Sequence, residues 1–103
     1  MAATIEYTDG RRTERPKAPL FTCKSERAIG ALKFWARRID AWAEINATAE
    51  DSLGFPLIKL RWQNGDRWEM AGVIVCDSQE RRDLAVRVLE KEQRRREREL
   101  DNG

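Results

Sequence analysis

The chain has 103 residues, of which 37% are charged and 41% hydrophobic, with a net charge of +2 and no histidine. That length fits one domain around one core, and the apolar content lifts it out of the disordered class. Without histidine the sequence lacks the commonest general base, the commonest metal ligand and any Ser-His or Cys-His nucleophile.

The charge is unevenly spread. Residues 10–38 hold nine Lys/Arg against two acids, and residues 39–77 hold three against seven. No apolar run approaches the roughly 18 residues of a membrane span, and the opening MAATIEYTDG has neither an apolar signal core nor a small-residue cleavage pattern. Cys23 and Cys76 stand 53 positions apart without CxxC spacing. They read as buried, reduced thiols, and the chain as a cytoplasmic protein with no membrane contact.

In chain order, Ala3–Tyr7 alternates and Leu20–Cys23 follows a proline, so both read as short strands. Between them, residues 8–18 carry Asp9-Gly10, four basic residues and Pro16, the composition of a flexible basic loop. Ser25 followed by Glu26 is an N-cap signal. Ala28, Leu32, Trp35, Ile39 and Trp42 then recur at steps of four and three, predicting a helix over 26–48. Phe34, Ala41 and Ile45 lie off that stripe.

Residues 57–76 predict a β-hairpin around Asn64-Gly65. A two-residue Asn64-Gly65 loop would set Trp62 against Arg67 and Leu60 against Glu69. A three-residue Gln63-Asn64-Gly65 loop instead pairs Leu60 with Trp68, Ile58 with Met70 and Lys59 with Glu69, leaving one face apolar. The continuous run Ala71–Cys76 predicts an interior strand, with Gly72 marking a bulge. Asp77-Ser78-Gln79-Glu80 is an acidic variant of the capping box and starts a helix over 78–100. Its apolar face is Leu84, Ala85, Val88 and Leu89. Residues 90–103 have almost no apolar surface, which predicts a charged helical extension with no hold on the core. The expected fold is a single α+β domain over 1–103, in β-β-α-β-β-α order, with an antiparallel sheet packed by two helices.

No calcium-loop, zinc-site or phosphate-loop spacing is present, so neither a metal, a cofactor nor a catalytic set is expected. Trp35 and Trp42 read as core. Trp62 and Trp68 flank the hairpin tip beside Arg61 and Arg67. There they either seal the core edge or form a stacking platform. Arg11, Arg12, Arg15 and Lys17, with Lys33, Arg37 and Arg38 on the first helix, read either as a solvated surface or as contacts to a phosphate backbone. Arg94, Arg95 and Arg96 are interleaved with glutamates, the pattern of a solvated or partner-binding helix.

The leading expectation is a non-catalytic module of regulatory or inhibitor type that binds another protein, with self-association as one form of that binding. The alternative is a nucleic-acid-binding protein using the basic segment 11–38 and the Trp62/Trp68 tip.

Overall fold

A computed structural model describes residues 5–6, 12–13, 18–39 and 41–102, with side chains described within 18–39 and 41–100. The elements are β1 (Ile5–Glu6), β2 (Arg12–Thr13), β3 (Leu20–Cys23), α1 (Glu26–Arg38), β4 (Glu44–Glu50), β5 (Pro56–Asn64), β6 (Arg67–Cys76) and α2 (Gln79–Asn102). β1 and β2 pair antiparallel as a separate two-stranded ladder. The rest of the expected basic loop 8–18, short of Ala18, lies outside the described residues. The main sheet runs β3-β6-β5-β4, with β3 parallel to β6 and the other pairs antiparallel. The protein is thus α+β, with two helices on a four-stranded, mostly antiparallel sheet.

α1 starts where its cap signal stands. Ser25 Oγ accepts the Ala28 N–H at 3.1 Å, and Glu26 occupies the first turn. The predicted stripe then seats Leu32 and Ala36 fully in the core, flanked by half-buried Ala28, Trp35 and Ile39. The helix ends at Arg38, ten residues short of the expected boundary at 48. The 3/4 spacing continues through Trp42, which is buried, but in a connecting segment instead of a helical turn. Beyond it EINATAE obeys a period of two, and Ile45 and Ala47 pack against the core from β4. Asn46 Oδ1 accepts from both the Thr48 N–H (3.2 Å) and the Thr48 hydroxyl (2.8 Å), where the β4 register shifts against β5.

The hairpin register corrects the expected one. Asn64 pairs with Arg67, so the loop is Gly65-Asp66, and Gly65 has φ +67° at its first position. That is where a type II′ connection needs glycine. Trp62 stands opposite Glu69, Gln63 opposite Trp68, Leu60 opposite Gly72 and Ile58 opposite Ile74. The odd residue that a three-residue loop would have absorbed is taken up instead by a bulge at Ala71, between the Leu60–Gly72 and Arg61–Met70 pairs. Past the bulge the faces exchange, so Trp68 and Met70 leave the side of Leu60 and Ile58 and join Arg61 on the other. Gly72 has a packing reason as well: a Cβ there would lie 3.0 Å from both Ile39 Cδ1 and Trp35 Cη2.

The core lies between the sheet and the helix pair, where Leu32, Ile58, Leu60, Ile74, Ala85 and Leu89 are fully buried. β6 is interior as expected. Cys23 and Cys76 are free, fully buried and directly opposite on β3 and β6. A hydrogen bond shared with Cys23, together with burial, pushes the Cys76 thiol well above its ordinary pKa.

α2 is capped by Ser78, whose Oγ accepts the Arg81 N–H at 3.1 Å. The expectation that residues beyond Leu89 have no hold on the core is corrected. Glu92 is buried, Gln93 Nε2 donates to the Ala43 carbonyl, and Arg96 Nη2 donates to the Ala36 and Ile39 carbonyls at 2.7 Å each. The Arg96 guanidinium also lies 4.6 Å from the Trp42 ring centre. A cation at the carbonyl end of α1 is favoured by the helix dipole, so polar groups fasten the segment where apolar ones are scarce.

Candidate docking surfaces

Strand alternation sends half of each strand toward the helices and half away. On the side away from them lie Leu20 and Thr22 of β3, Val73 and Val75 of β6, Leu57 and Lys59 of β5 and Asn46 of β4, as the register pairs require. After the bulge Arg61, Met70 and Trp68 continue this face. Leu20 is 63% exposed, and Met70 and Trp68 are 42% exposed each. Arg61 pairs with Glu44 at 2.9 Å and lies 5.2 Å from the Trp68 ring centre. Lys59 has no carboxylate partner among the described residues. This open sheet face is apolar with a cationic centre.

The expectation that Trp62 and Trp68 act together is corrected by the register. They belong to neighbouring cross-strand pairs, Trp62–Glu69 and Gln63–Trp68, and so point to opposite faces. Trp62 is half-buried, whereas Trp68 lies on the open face and does not seal the core edge. Arg67 is exposed at the tip.

The second surface lies where α1 packs on α2. A groove of about 480 Å³ has Ile29, Gly30 and Val88 for a floor and Lys33, Arg37, Lys91, Arg95 and Arg98 around it. Glu92 is its one acid. This carboxylate is 4% exposed. Arg37 donates to both of its oxygens, at 3.0 and 3.1 Å, and Arg95 Nε donates to Oε1 at 3.0 Å. Burial alone would raise the Glu92 pKa, but the bonds and charges of Arg37 and Arg95 outweigh it and hold the carboxyl below its usual range. Arg95 is further oriented by Glu99 at 2.8 Å. Lys33, Lys91 and Arg98 have no carboxylate partner among the described residues.

The groove therefore joins Lys33 and Arg37 to Arg95, residues that the sequence placed in separate basic groups. Arg38 and Arg94 are exposed on α1 and α2, whereas Arg96 turns inward to Trp42. Of the N-terminal candidates, Arg12 is described only as part of β2, and Arg11, Arg15 and Lys17 lie outside the described residues. Sequence reasoning missed Lys91 as a site residue and did not join Arg98 to Lys33. The available signal was the 91, 95, 98 spacing, one face of a helix.

Among the described residues no group of three or more His, Cys, Asp or Glu could hold a metal ion, and no helix is long and apolar enough to cross a membrane. Comparison with known proteins returns no matching family model, no matching curated protein and no matching solved structure.

Proposed function

We propose that this chain is a non-catalytic binding module that docks onto another protein, in the manner of a small cytosolic regulator or inhibitor. The observation that carries the reading is the open sheet face, where Leu20, Met70 and Trp68 stand exposed beside half-buried Leu57, Val73 and Val75. Contiguous apolar surface of this kind marks interaction sites, and aromatic and methionine side chains are enriched at interface cores. Lys59 at its centre, which has no carboxylate partner among the described residues, calls for a partner that is apolar with a carboxylate opposite that ammonium. Free, buried thiols at Cys23 and Cys76, directly opposite each other, suit a reducing compartment.

A photo-crosslinking side chain placed at Met70, and separately at Arg87 on α2, tests this in extract of the native host. The expected result is one discrete adduct from position 70, absent from position 87 and lost on Leu20→Glu, with the purified partner binding that variant at least tenfold more weakly. Equal adducts from both positions would refute the reading. A self-adduct alone would make the occupant a second copy of the chain.

The nucleic-acid reading has its own observation on the opposite side of the molecule, the cationic groove between α1 and α2.

A further inference from the structure

We propose that the α1–α2 groove binds single-stranded nucleic acid, with the phosphodiester backbone along Lys91, Arg95 and Arg98 and a base stacked on Phe34. This site is separate from the open sheet face and does not depend on protein docking there. Lys91, Arg95 and Arg98 follow steps of four and three, so they share one face of α2 over about 10 Å of helix. Lys33 and Arg37 face them from α1. The space is real at its narrowest residue, since a Cβ at Gly30 would meet nothing within 4 Å. A volume of about 480 Å³ falls in the range that holds an organic ligand.

Glu92 would repel a phosphate if its charge stood alone. It lines the groove with its charge already answered: both its oxygens are engaged by Arg37, one of them also by Arg95, and the residue is almost wholly buried. Glu92 and, on Arg95, Glu99 offset the charges of the two guanidiniums they orient, so the excess in the groove is that of Lys33, Lys91 and Arg98. Phe34 is not part of the lining but adjoins it through two lining cations: its ring is 57% exposed, with Lys33 Nζ 5.1 Å and Arg37 Cζ 5.8 Å from its centre. An exposed aromatic ring among cations is the combination on which unpaired bases stack while phosphates are neutralised. A duplex hides its base faces, so the ring selects the single strand.

The test is fluorescence polarisation with the full chain and a labelled mixed-sequence 15-mer, as single-stranded DNA, single-stranded RNA and duplex DNA, at 50 and 200 mM salt. Binding of either single strand should weaken roughly twentyfold across that salt range if about three phosphates are neutralised. Lys91→Glu with Arg98→Glu should abolish it, and the milder Lys91→Gln with Arg98→Gln should weaken it and flatten its salt dependence. Phe34→Ala should lose roughly tenfold on single strands with the salt slope unchanged, and Phe34→Trp should restore binding. The proposal is overturned by absence of binding at 50 mM salt, or by duplex bound as tightly with Phe34→Ala neutral. It is equally overturned if Arg11→Glu with Arg12→Glu removes binding that both Lys91/Arg98 variants retain.

Discussion

On one side of the sheet, α1 and α2 close over the core and present cations to solvent; on the other, the strands present Leu20, Met70 and Trp68 directly. The same strand serves both sides, since β6 sends Ile74 and Cys76 into the core and Val73 and Val75 outward. What separates the sides is the means of attachment. The helical side is fastened in its second half by polar contacts, Glu92 to Arg37 and Arg96 to the carbonyl end of α1. The open side needs no fastening, because the ladder already satisfies its backbone. A charged surface can thus be rigid through its own buried ions, while an apolar surface is rigid through hydrogen bonds that run beneath it.

The largest effect should come from Trp42, which packs under the helical side and donates from Nε1 to the Ala36 carbonyl at 3.3 Å. Trp42→Ala should lower unfolding stability by about 3–5 kcal/mol in urea melts, near the whole stability of a small domain. Hydrogen exchange should show α2 opening beyond Leu89 before the β5–β6 ladder does. If both sides opened together, the helical side would have no separate attachment.

A middle effect concerns acid. Because Arg37 and Arg95 hold the folded Glu92 pKa below its ordinary glutamate value against the opposing effect of burial, its contribution is complete above that ordinary value and disappears as pH falls through the lower folded one. Glu92→Gln should destabilise the protein near pH 7 by about 1–3 kcal/mol, and its melting curve should approach that of the unaltered chain as pH drops toward 3. Parallel curves across that range would show that the carboxylate charge is irrelevant to the helical side.

The smallest effect belongs to the open side. Met70→Glu removes no core contact and should leave stability within about 0.5 kcal/mol in the same urea melts. A larger loss would mean that this face is structural and not merely available.

Much of this arrangement was legible in the chain. Ser25 and Ser78 mark both helix starts, and the stripe through Leu32, Ala36 and Ile39 marks the buried side of α1. The hairpin was legible in parity: one odd residue had to be absorbed, and the bulge signal at Gly72, next to the bulge at Ala71, competed with a three-residue loop ending at Gly65. Trp42 misled because its spacing from Ile39 continues the helix although its ring is seated from a connecting segment. Strand periodicity in EINATAE was present but was overridden by that stripe. The helical groove was the hardest part to read, since Glu92 and Arg37 are 55 positions apart and a glutamate in a run of arginines carries no mark of burial.

The Asn46 side chain has a consequence for behaviour at high concentration. β4 is an edge strand with alternating Ile45, Ala47 and Ala49, the kind of border along which identical chains zip into fibrils. Asn46 holds the Thr48 N–H on its own amide oxygen, so this mid-strand donor is not offered to an incoming chain. The register shift beside it puts the remaining rungs out of step with a straight incoming strand. The border that could seed polymerisation is thereby interrupted from within its own seven residues.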